Sequence, residues 1–376
     1  MRYYLIAGER SGDLHGANLI KALRRRDHQS VFRGWGGNFM ENAGAELVVH
    51  YKNLGMMGFI EVILRFNKIL KYMKFCRKDI RAFNPDVVIL IDFGGFNMRM
   101  ARFLRKNNFR VFYYISPKIW AWNTGRAKAI RKYIDRMFVI LPFEKAFYEK
   151  FSYDVDYVGN PVVDAVRDHS PDKSFLKDTG IDENTNYIAL LPGSREQELE
   201  GILPQMIRLA VKFPNENFIL AAISTVPEKM YDPCRSVRNI RVVVDRTYDI
   251  LAYAYAGVIT SGTATLETAL WNVPQVVVYR ASSTVSYLIG RMVIKIKYIS
   301  LVNLIAGREV VRELIQQDLT EKNLSNALME IICNGEVRER MLRDYSQIRD
   351  MLGDEPVSAK AADLMIGHLM EEKVSK

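Results

Sequence analysis

Residues 87–97 read Val87-Val88-Ile89-Leu90-Ile91-Asp92-Phe93-Gly94-Gly95-Phe96-Asn97. The five residues before Asp92 are all apolar, and with Asp86 they predict a buried strand. In an open parallel sheet, ligands bind outside the carboxyl ends of the strands. Asp92 therefore places a carboxylate at the rim of such a crevice. From its position alone, a cap on the helix that follows is at least as good an interpretation.

The same alternation of short β-rich runs and longer amphipathic stretches extends along the 376 residues, which predicts parallel strands joined by helices. The predicted strands are Tyr3–Ala7, Asp86–Ile91, Arg110–Ile115, Arg136–Ile140, Tyr187–Leu191, Phe218–Ala222, Ile240–Val244, Gly257–Thr260 and Gln275–Tyr279. We expect two Rossmann-like domains, 1–165 and 166–350, followed by a C-terminal helix in 351–376 with apolar spacing over Asp354–Met370. The polar segment that follows Pro161 and ends at Glu183 resembles an interdomain connection.

The amino-acid composition limits the kinds of site and partner that the protein can have. The three cysteines, Cys76, Cys234 and Cys333, lie far apart and lack metal-ligand spacing, so we expect neither a disulfide framework nor a metal site. The first residues lack the pattern of a signal peptide and no apolar run is long enough to span a bilayer, so we expect no export and only peripheral membrane contact. A net charge of +10 favours anionic partners without choosing among nucleotides, phospholipids and nucleic acid.

Three further loops follow predicted strands and open helices: Gly8–Asp13, Leu191–Glu196 and Ser261–Glu267. Helix N-termini with small residues suit phosphate groups, and the fork of Arg195 suits a diphosphate. Each loop has an ordinary alternative, namely a turn for the first and a helix cap for the other two. The strand-end loop Ser116–Trp122 holds two tryptophans, which more often indicate packing than ligand contact. We find no Ser-His-Asp or Cys-His arrangement for nucleophilic catalysis.

Taken in order, these segments resemble the lipid-A-disaccharide synthase family over nearly the whole chain. The resemblance rests on Gly8–Asp13, Met57–Val62, Ile91–Asn97, Ser116–Trp122, Leu141–Glu144, Val158–Pro161, Leu191–Arg195, Ser261–Glu267 and Asn303–Glu309. It implies a GT-B architecture, in which an N-terminal acceptor domain and a C-terminal donor domain face a cleft and the last helix returns toward the first domain.

The resemblance also implies an inverting transfer of diacylglucosamine from its UDP-activated form to the 6-hydroxyl of diacylglucosamine 1-phosphate, with release of UDP. The expected partners are these two lipids and an anionic membrane surface, without nucleic acid. A homodimer is left open. The expected location is the cytoplasmic face of a bacterial inner membrane, and neither a cofactor nor a metal is expected.

Carried over to this chain, Asp92 matches the aspartate thought to act as general base, and Arg195 matches an arginine of the donor site. The donor set is Gly193, Ser194, Arg195, Ser261, Gly262, Thr263, Glu267, Asn303 and Gln316. The acceptor or cleft set is Glu9, Ser11, Asp13, Met57, Asn97, Ser116 and Trp120. The family commonly has a second aspartate where this chain has Gly95, so Asp92 is the sole acid of its loop.

Two rival functions remain at this stage. Another GT-B enzyme, such as a nucleotide-sugar epimerase or a different UDP-N-acetylglucosamine transferase, would keep the donor loops but change the acceptor loops, and the matches at Gly8–Asp13 and Ser116–Trp122 count against it. A non-catalytic nucleotide or nucleic-acid-binding protein would use the charge, but the sequence holds no recognised nucleic-acid module.

Residues 56–78 predict one amphipathic helix. Phe59, Val62, Phe66, Ile69 and Met73 form an apolar face, opposite a basic face that includes Arg65, Lys68, Lys71, Lys74 and Lys78. Further apolar residues, Ile60, Leu64 and Phe75, interrupt the basic face. An ordinary core helix with a solvated face is the alternative. Because the implied substrates carry acyl chains, we expect this helix to dock on a membrane through Ile60, Leu64, Arg65, Lys68, Lys71 and Phe75.

Overall fold

The apolar run Val87–Ile91 forms a fully buried strand at the centre of a seven-stranded parallel sheet. The computed structural model describes residues 1–54, 66–182, 185–281 and 296–374. It divides the chain into one unit of Met1–Pro161 with Glu355–Lys376 and a second of Val162–Asp354.

In the first unit the strands pair in the order β3-β2-β1-β4-β5-β6-β7. They are β1 (Arg2–Ala7), β2 (Val31–Gly36), β3 (Glu46–His50), β4 (Val87–Ile91), β5 (Val111–Tyr114), β6 (Arg136–Val139) and β7 (Asp156–Tyr157). The helices of this unit are Arg10–Arg26, Asn38–Asn42, Phe66–Phe83, Gly94–Lys106, Ile119–Trp122, Arg126–Tyr133, Pro142–Glu149 and the C-terminal Val357–Val374, with a 3-10 turn at Tyr51–Leu54.

Successive strand side chains point to opposite faces of this sheet, and each face buries its own core. On one face, β4 contributes Val88 and Leu90, which pack with buried residues of helices Phe66–Phe83, Gly94–Lys106 and Arg126–Tyr133. On the other face, Val87, Ile89 and Ile91 pack with buried residues of helix Arg10–Arg26 and of the C-terminal helix.

The C-terminal helix returns to the first unit. Val357, Ala361, Met365 and Leu369 recur every four residues and are essentially fully buried against the Arg10–Arg26 side of the sheet. Asp363 of this helix pairs with Arg26, and Nε2 of His368 lies 2.9 Å from Oδ2 of Asp156.

The second unit is a six-stranded parallel sheet in the order β10-β9-β8-β11-β12-β13. Its strands are β8 (Tyr187–Leu191), β9 (Asn217–Ala222), β10 (Ile240–Val244), β11 (Ala256–Thr260), β12 (Gln275–Tyr279) and β13 (Arg312–Ile315). The helices are Pro161–Arg167, Phe175–Thr179, Glu196–Lys212, Asp232–Arg235, Thr247–Tyr253, Thr263–Leu270, Leu301–Ala306, Glu321–Ile332 and Glu336–Leu352, with 3-10 turns at Glu228–Tyr231 and Gln316–Asp318.

The predicted fold class is confirmed, with two Rossmann-like parallel sheets and a returning C-terminal helix. All nine predicted strands are present within one residue at each end. Sequence reasoning missed β2, β3, β7 and β13. The glycines of β2 and the charged residues of β13 obscure the apolar pattern, and β7 has only two residues.

The segment expected to connect the domains is folded. It contains the helices Pro161–Arg167 and Phe175–Thr179, and the side chains of Phe175 and Ile181 belong to the hydrophobic core of the second unit. The predicted helix over residues 56–78 is described only from Phe66, and it continues to Phe83. Among the described helices, none is long and apolar enough to cross a membrane.

Candidate functional site

In each unit the strand order reverses between two neighbouring strands, and a crevice is expected where they end. In the first unit these strands are β1 and β4, and their last residues, Ala7 and Ile91, are register partners. The residues that follow, Gly8-Glu9 and Asp92, therefore leave the sheet side by side. The sequence predicts the loops after β1 and β4 separately, and the parallel pairing of the two strands places these loops next to each other.

The backbone at Asp92 is held in a conformation that few residues other than glycine adopt. Asp92 and Phe93 have φ angles of 43° and 49°. The carbonyl oxygen of Asp92 accepts hydrogen bonds from the Tyr113 hydroxyl and from Nδ2 of Asn97, the latter at 2.9 Å. The next helix has Phe93 at its N-cap, and the Asp92 carboxylate accepts a hydrogen bond from the backbone N–H of Phe93.

The Asp92 carboxyl lies beside a second acid. Burial, then the negative charge of Glu9 and a hydrogen bond with Glu9, together raise the pKa of Asp92 to about 6, against the opposing charge of Lys118 and a hydrogen bond from the Phe93 backbone N–H. The Ser11 hydroxyl donates to Oε1 of Glu9 at 2.8 Å. A hydrogen bond between two carboxyl groups needs a proton on one of them. Glu9 is therefore a second acid beside Asp92, contributed by the loop after β1.

Two of the expected acceptor residues hold backbone groups. The buried Asp13 carboxylate accepts from the backbone N–H groups of Gly37, Phe39 and Met40 at 2.7, 3.1 and 3.0 Å. Nδ2 of the buried Asn97 donates to the carbonyls of Ile6, Ile91 and Asp92 at 3.4, 3.2 and 2.9 Å. These bonds fix the ends of the strands around Asp92.

Ser116 and Trp120 follow β5 and converge on Glu144, a residue that sequence reasoning did not single out. Glu144 is fully buried, and its carboxyl accepts from Trp120 Nε1 at 3.2 Å and from the Leu141 backbone N–H at 3.0 Å. Burial raises the pKa of Glu144 to about 7. The signal available in the sequence was Pro142 followed by Glu144, a pattern typical of a helix start. Glu144 thus joins the loops after β5 and β6.

The second unit repeats the geometry of the first at β8 and β11, where Leu191 pairs with Ile259. The loops that follow contain Gly193, whose φ of 113° suits glycine, and Ser194, whose N–H donates to Glu198 Oε2 at 2.8 Å. The Arg195 side chain is 80% exposed.

Helices begin directly after these loops, at Glu196 and at Thr263, and neither has a side-chain cap. Gly262 and Thr263 are exposed, while the Ser261 hydroxyl donates to the carbonyl of Ile299 at 3.1 Å. Two helix N-termini and an exposed guanidinium near one sheet edge are suited to an anion.

The remaining residues expected at the donor site differ in how fully their side chains are hydrogen-bonded within the protein. Asn303 uses its whole amide: Nδ2 donates to the Val311 carbonyl and to Glu313, and Oδ1 accepts from the backbone of Val310 and Val311, all at 2.7–3.0 Å. Glu267 accepts from the Tyr248 hydroxyl at 2.8 Å, and burial raises its pKa.

Gln316 follows directly after β13 with a φ of 52°. Within the described ranges, its Nε2 is buried without a hydrogen-bond acceptor, and the Thr260 hydroxyl at the end of β11 is likewise unpaired. Asn303 therefore shapes the loop, whereas Gln316 keeps a donor.

The expected membrane residues are only partly described. Met57 of the acceptor set, together with Ile60, Leu64 and Arg65, lies outside the described residues, as does the side chain of Lys68. Lys71 is exposed and Phe75 is 45% exposed. Over the described residues, no cluster of three or more His, Cys, Asp or Glu side chains is placed to hold a metal ion.

Comparison with known proteins matches residues 3–364 to one family model, described as Lipid-A-disaccharide synthetase. A protein of Syntrophus aciditrophicus (strain SB) named Lipid-A-disaccharide synthase is 39% identical over 366 residues, 95% of each chain. A protein of the same name from Coxiella burnetii (strain Dugway 5J108-111) is 34% identical over 352 residues, 93% of each chain.

Solved structures share the fold at low identity. A UDP-GlcNAc 2-epimerase from Neisseria meningitidis bound to UDP-GlcNAc aligns with a TM-score of 0.66 at 14% identity, over 99% of this chain and 100% of that one. The glycotransferase of kitacinnamycin aligns with a TM-score of 0.65 at 14% identity, over 98% of this chain and 99% of that one. These likenesses show the GT-B fold.

We predict that the Asp92 carboxyl titrates near pH 6, and that Glu9→Gln lowers its pKa because a neighbouring negative charge is lost. Burial, the larger cause, remains, so the pKa stays above the ordinary aspartate value. Carbon-13 NMR of labelled aspartate carboxyls measures both pKa values. Glu149→Gln, at an exposed glutamate of the same unit, is the control and leaves the pKa unchanged. An unaltered pKa in Glu9→Gln would mean that burial alone sets it.

Proposed function

The chain belongs to the lipid-A-disaccharide synthetase family, and we propose on this premise how its residues carry out the transfer. The family activity is that of a hexosyltransferase that forms a disaccharide. For this chain we propose UDP-2,3-diacylglucosamine as donor and 2,3-diacylglucosamine 1-phosphate as acceptor, with a β-1,6 product and UDP released. The observation that carries the proposal is the Asp92 carboxyl at the strand-order reversal of the first unit, with Glu9 beside it.

Asp92 acts as the general base in this mechanism. It removes the proton of the acceptor hydroxyl while that oxygen attacks the anomeric carbon from the face opposite UDP, so that one displacement inverts the configuration. A base must be deprotonated, and the pKa of Asp92 is raised to about 6. Activity therefore rises as the pH increases through about 6. A base whose pKa lies close to the working pH can both accept the proton of the acceptor hydroxyl and release that proton afterwards.

We predict that Asp92→Asn retains the fold and UDP binding but loses about 100-fold or more of its turnover, because a positioned base is removed with little change of shape. The assay mixes purified protein with the two proposed substrates and measures disaccharide 1-phosphate and UDP by mass spectrometry. Asp154→Asn, at an exposed aspartate of the same unit, serves as control. Absence of the disaccharide with the unaltered protein would refute the proposed reaction, and normal turnover by Asp92→Asn would place the base elsewhere.

The donor diphosphate lies, in our proposal, at the carboxyl ends of β8 and β11. There the uncapped helix starts at Glu196 and Thr263 and the exposed Arg195 supply positive potential. The leaving diphosphate gains negative charge in the transition state, which these groups stabilise. The buried, unpaired Nε2 of Gln316 provides a donor at the same edge of this sheet. The proposal includes no metal ion or cofactor.

We predict that Arg195→Ala weakens UDP binding about tenfold, because a charge-assisted hydrogen bond to phosphate is lost. Isothermal titration calorimetry with UDP measures the change. Arg208→Ala removes an exposed arginine from the same helix and is expected to bind UDP normally. Equal affinities for the two variants would remove Arg195 from the donor site.

The lipid substrates require contact with a bilayer, and we propose peripheral docking on the inner face of the inner membrane. Helix Phe66–Phe83 supports this because Leu70 and Phe75 are 47% and 45% exposed beside the exposed Lys71, Lys74 and Lys78. Exposed apolar side chains among basic residues are typical of surfaces that bind anionic membranes.

We predict that changing Ile60, Leu64 and Phe75 together to serine reduces sedimentation with anionic liposomes, and lowers activity on natural acceptors more than on short-chain acceptors. The apolar contact with the bilayer is lost, whereas the chemistry is not touched. The control changes three exposed apolar residues of the second unit, Val211, Met329 and Met351, to serine. If sedimentation with liposomes and the melting temperature are both unchanged, these three residues do not dock the protein on a membrane.

A further inference from the structure

The helices on the Val88 and Leu90 side of the first sheet carry an excess of positive charge. Helices Gly94–Lys106 and Arg126–Tyr133 together contain eight lysines and arginines and no acidic residue. Most of these side chains are exposed, because the apolar residues of both helices face the sheet. The positive charge that this layer presents to solvent therefore extends beyond helix Phe66–Phe83 to the two neighbouring helices of the layer.

A cavity of about 550 Å³ concentrates this charge. Its lining consists of Lys128, Arg131, Lys132, Lys150, Phe151 and Ser152. Four of these six residues are cations and none is an acid. Across the described residues, none of the four forms an ion pair with a carboxylate. Arg131 is held in place because its guanidinium donates to the Phe151 carbonyl at 3.2 Å. Cations gathered without counter-charge repel one another, and a bound anion relieves that repulsion.

The cavity is separate from the site at Asp92. Helix Arg126–Tyr133 ends shortly before β6 begins, and Phe151-Ser152 leads toward β7. Both features lie toward the amino ends of these strands, whereas Glu9 and Asp92 follow the carboxyl ends of β1 and β4. Neither the proposed donor nor the proposed acceptor position accounts for this cluster of cations.

We propose that this cavity binds the phosphate headgroup of an anionic phospholipid and so fixes the helical layer on the bilayer. The proposal rests on the membrane docking proposed above. A lipid suits the cavity better than free phosphate for two reasons. The volume exceeds that of one phosphate group, and Phe151 adds an apolar residue to the lining. Helix Phe66–Phe83, which packs beside helix Gly94–Lys106 in the same layer, exposes Leu70 and Phe75.

The test replaces Lys128, Lys132 and Lys150 together with glutamine and leaves Arg131, which supports the Phe151 turn. Binding is measured by calorimetry with monomeric dihexanoyl phosphatidylglycerol, dihexanoyl phosphatidylcholine and inorganic phosphate as probes. The unaltered protein is expected to prefer phosphatidylglycerol over both other probes. The triple variant is expected to lose about tenfold or more of that affinity, because three charges facing the headgroup are removed.

The matched control changes Arg99, Arg102 and Lys106 to glutamine, which removes the same charge from exposed positions of helix Gly94–Lys106, in the same layer but outside the cavity. It is expected to bind monomeric phosphatidylglycerol normally. An equal loss in both triple variants would mean diffuse attraction and overturn the site, and inorganic phosphate bound as tightly as phosphatidylglycerol would overturn the lipid assignment. Disaccharide formation from short-chain substrates is expected to survive in both variants, so failure of the headgroup site and failure of the proposed reaction are distinguishable.

Discussion

The parallel pairing of β1 with β4 is the constraint on which the rest of the first unit depends. Because Ala7 and Ile91 are register partners, the two loops that follow must emerge together, and Glu9 meets Asp92 without any direct sequence relation between them. The buried hydrogen bonds of Asn97 and Tyr113 then hold the Asp92 backbone in its left-handed conformation. A shift of one residue in this register would move every β4 side chain to the opposite face of the sheet and separate the two acids.

Burial and charge act together on the acids of this unit. Asp92 and Glu144 are both buried carboxyls with a raised pKa, but their surroundings differ. Glu144 accepts from Trp120 and Leu141 and ties two loops together, whereas Asp92 faces another acid and accepts from the Phe93 backbone N–H. The first arrangement holds a buried acid in a fixed place between two loops, and the second brings two acids together at the edge of the sheet.

Sequence patterns were sufficient for nine of the thirteen described strands and the loops that follow them, because most of these strands are uninterrupted apolar runs. They were insufficient for deciding which polar residue of a loop faces a ligand. Asp13 and Asn303 lie in segments that match the family, yet their side chains are hydrogen-bonded within the protein, Asp13 to backbone N–H groups and Asn303 to backbone groups and Glu313. Glu144 was missed because a glutamate in the first turn of a helix is ordinary, and its burial comes from partners elsewhere in the chain. Such choices depend on tertiary contacts that a single sequence does not encode locally.

The position of the C-terminal helix has a consequence for synthesis of the chain. Residues 357–374 complete a core that otherwise belongs to residues 1–161, and the ribosome must produce all of the second unit between them. Until then, the sheet face that receives Met365 and Leu369 lacks its cover. Closing a contact over more than 300 residues is slow relative to local folding. The nascent first unit therefore exposes this apolar surface until residues 357–374 are made, and exposed apolar surface favours aggregation of folding intermediates.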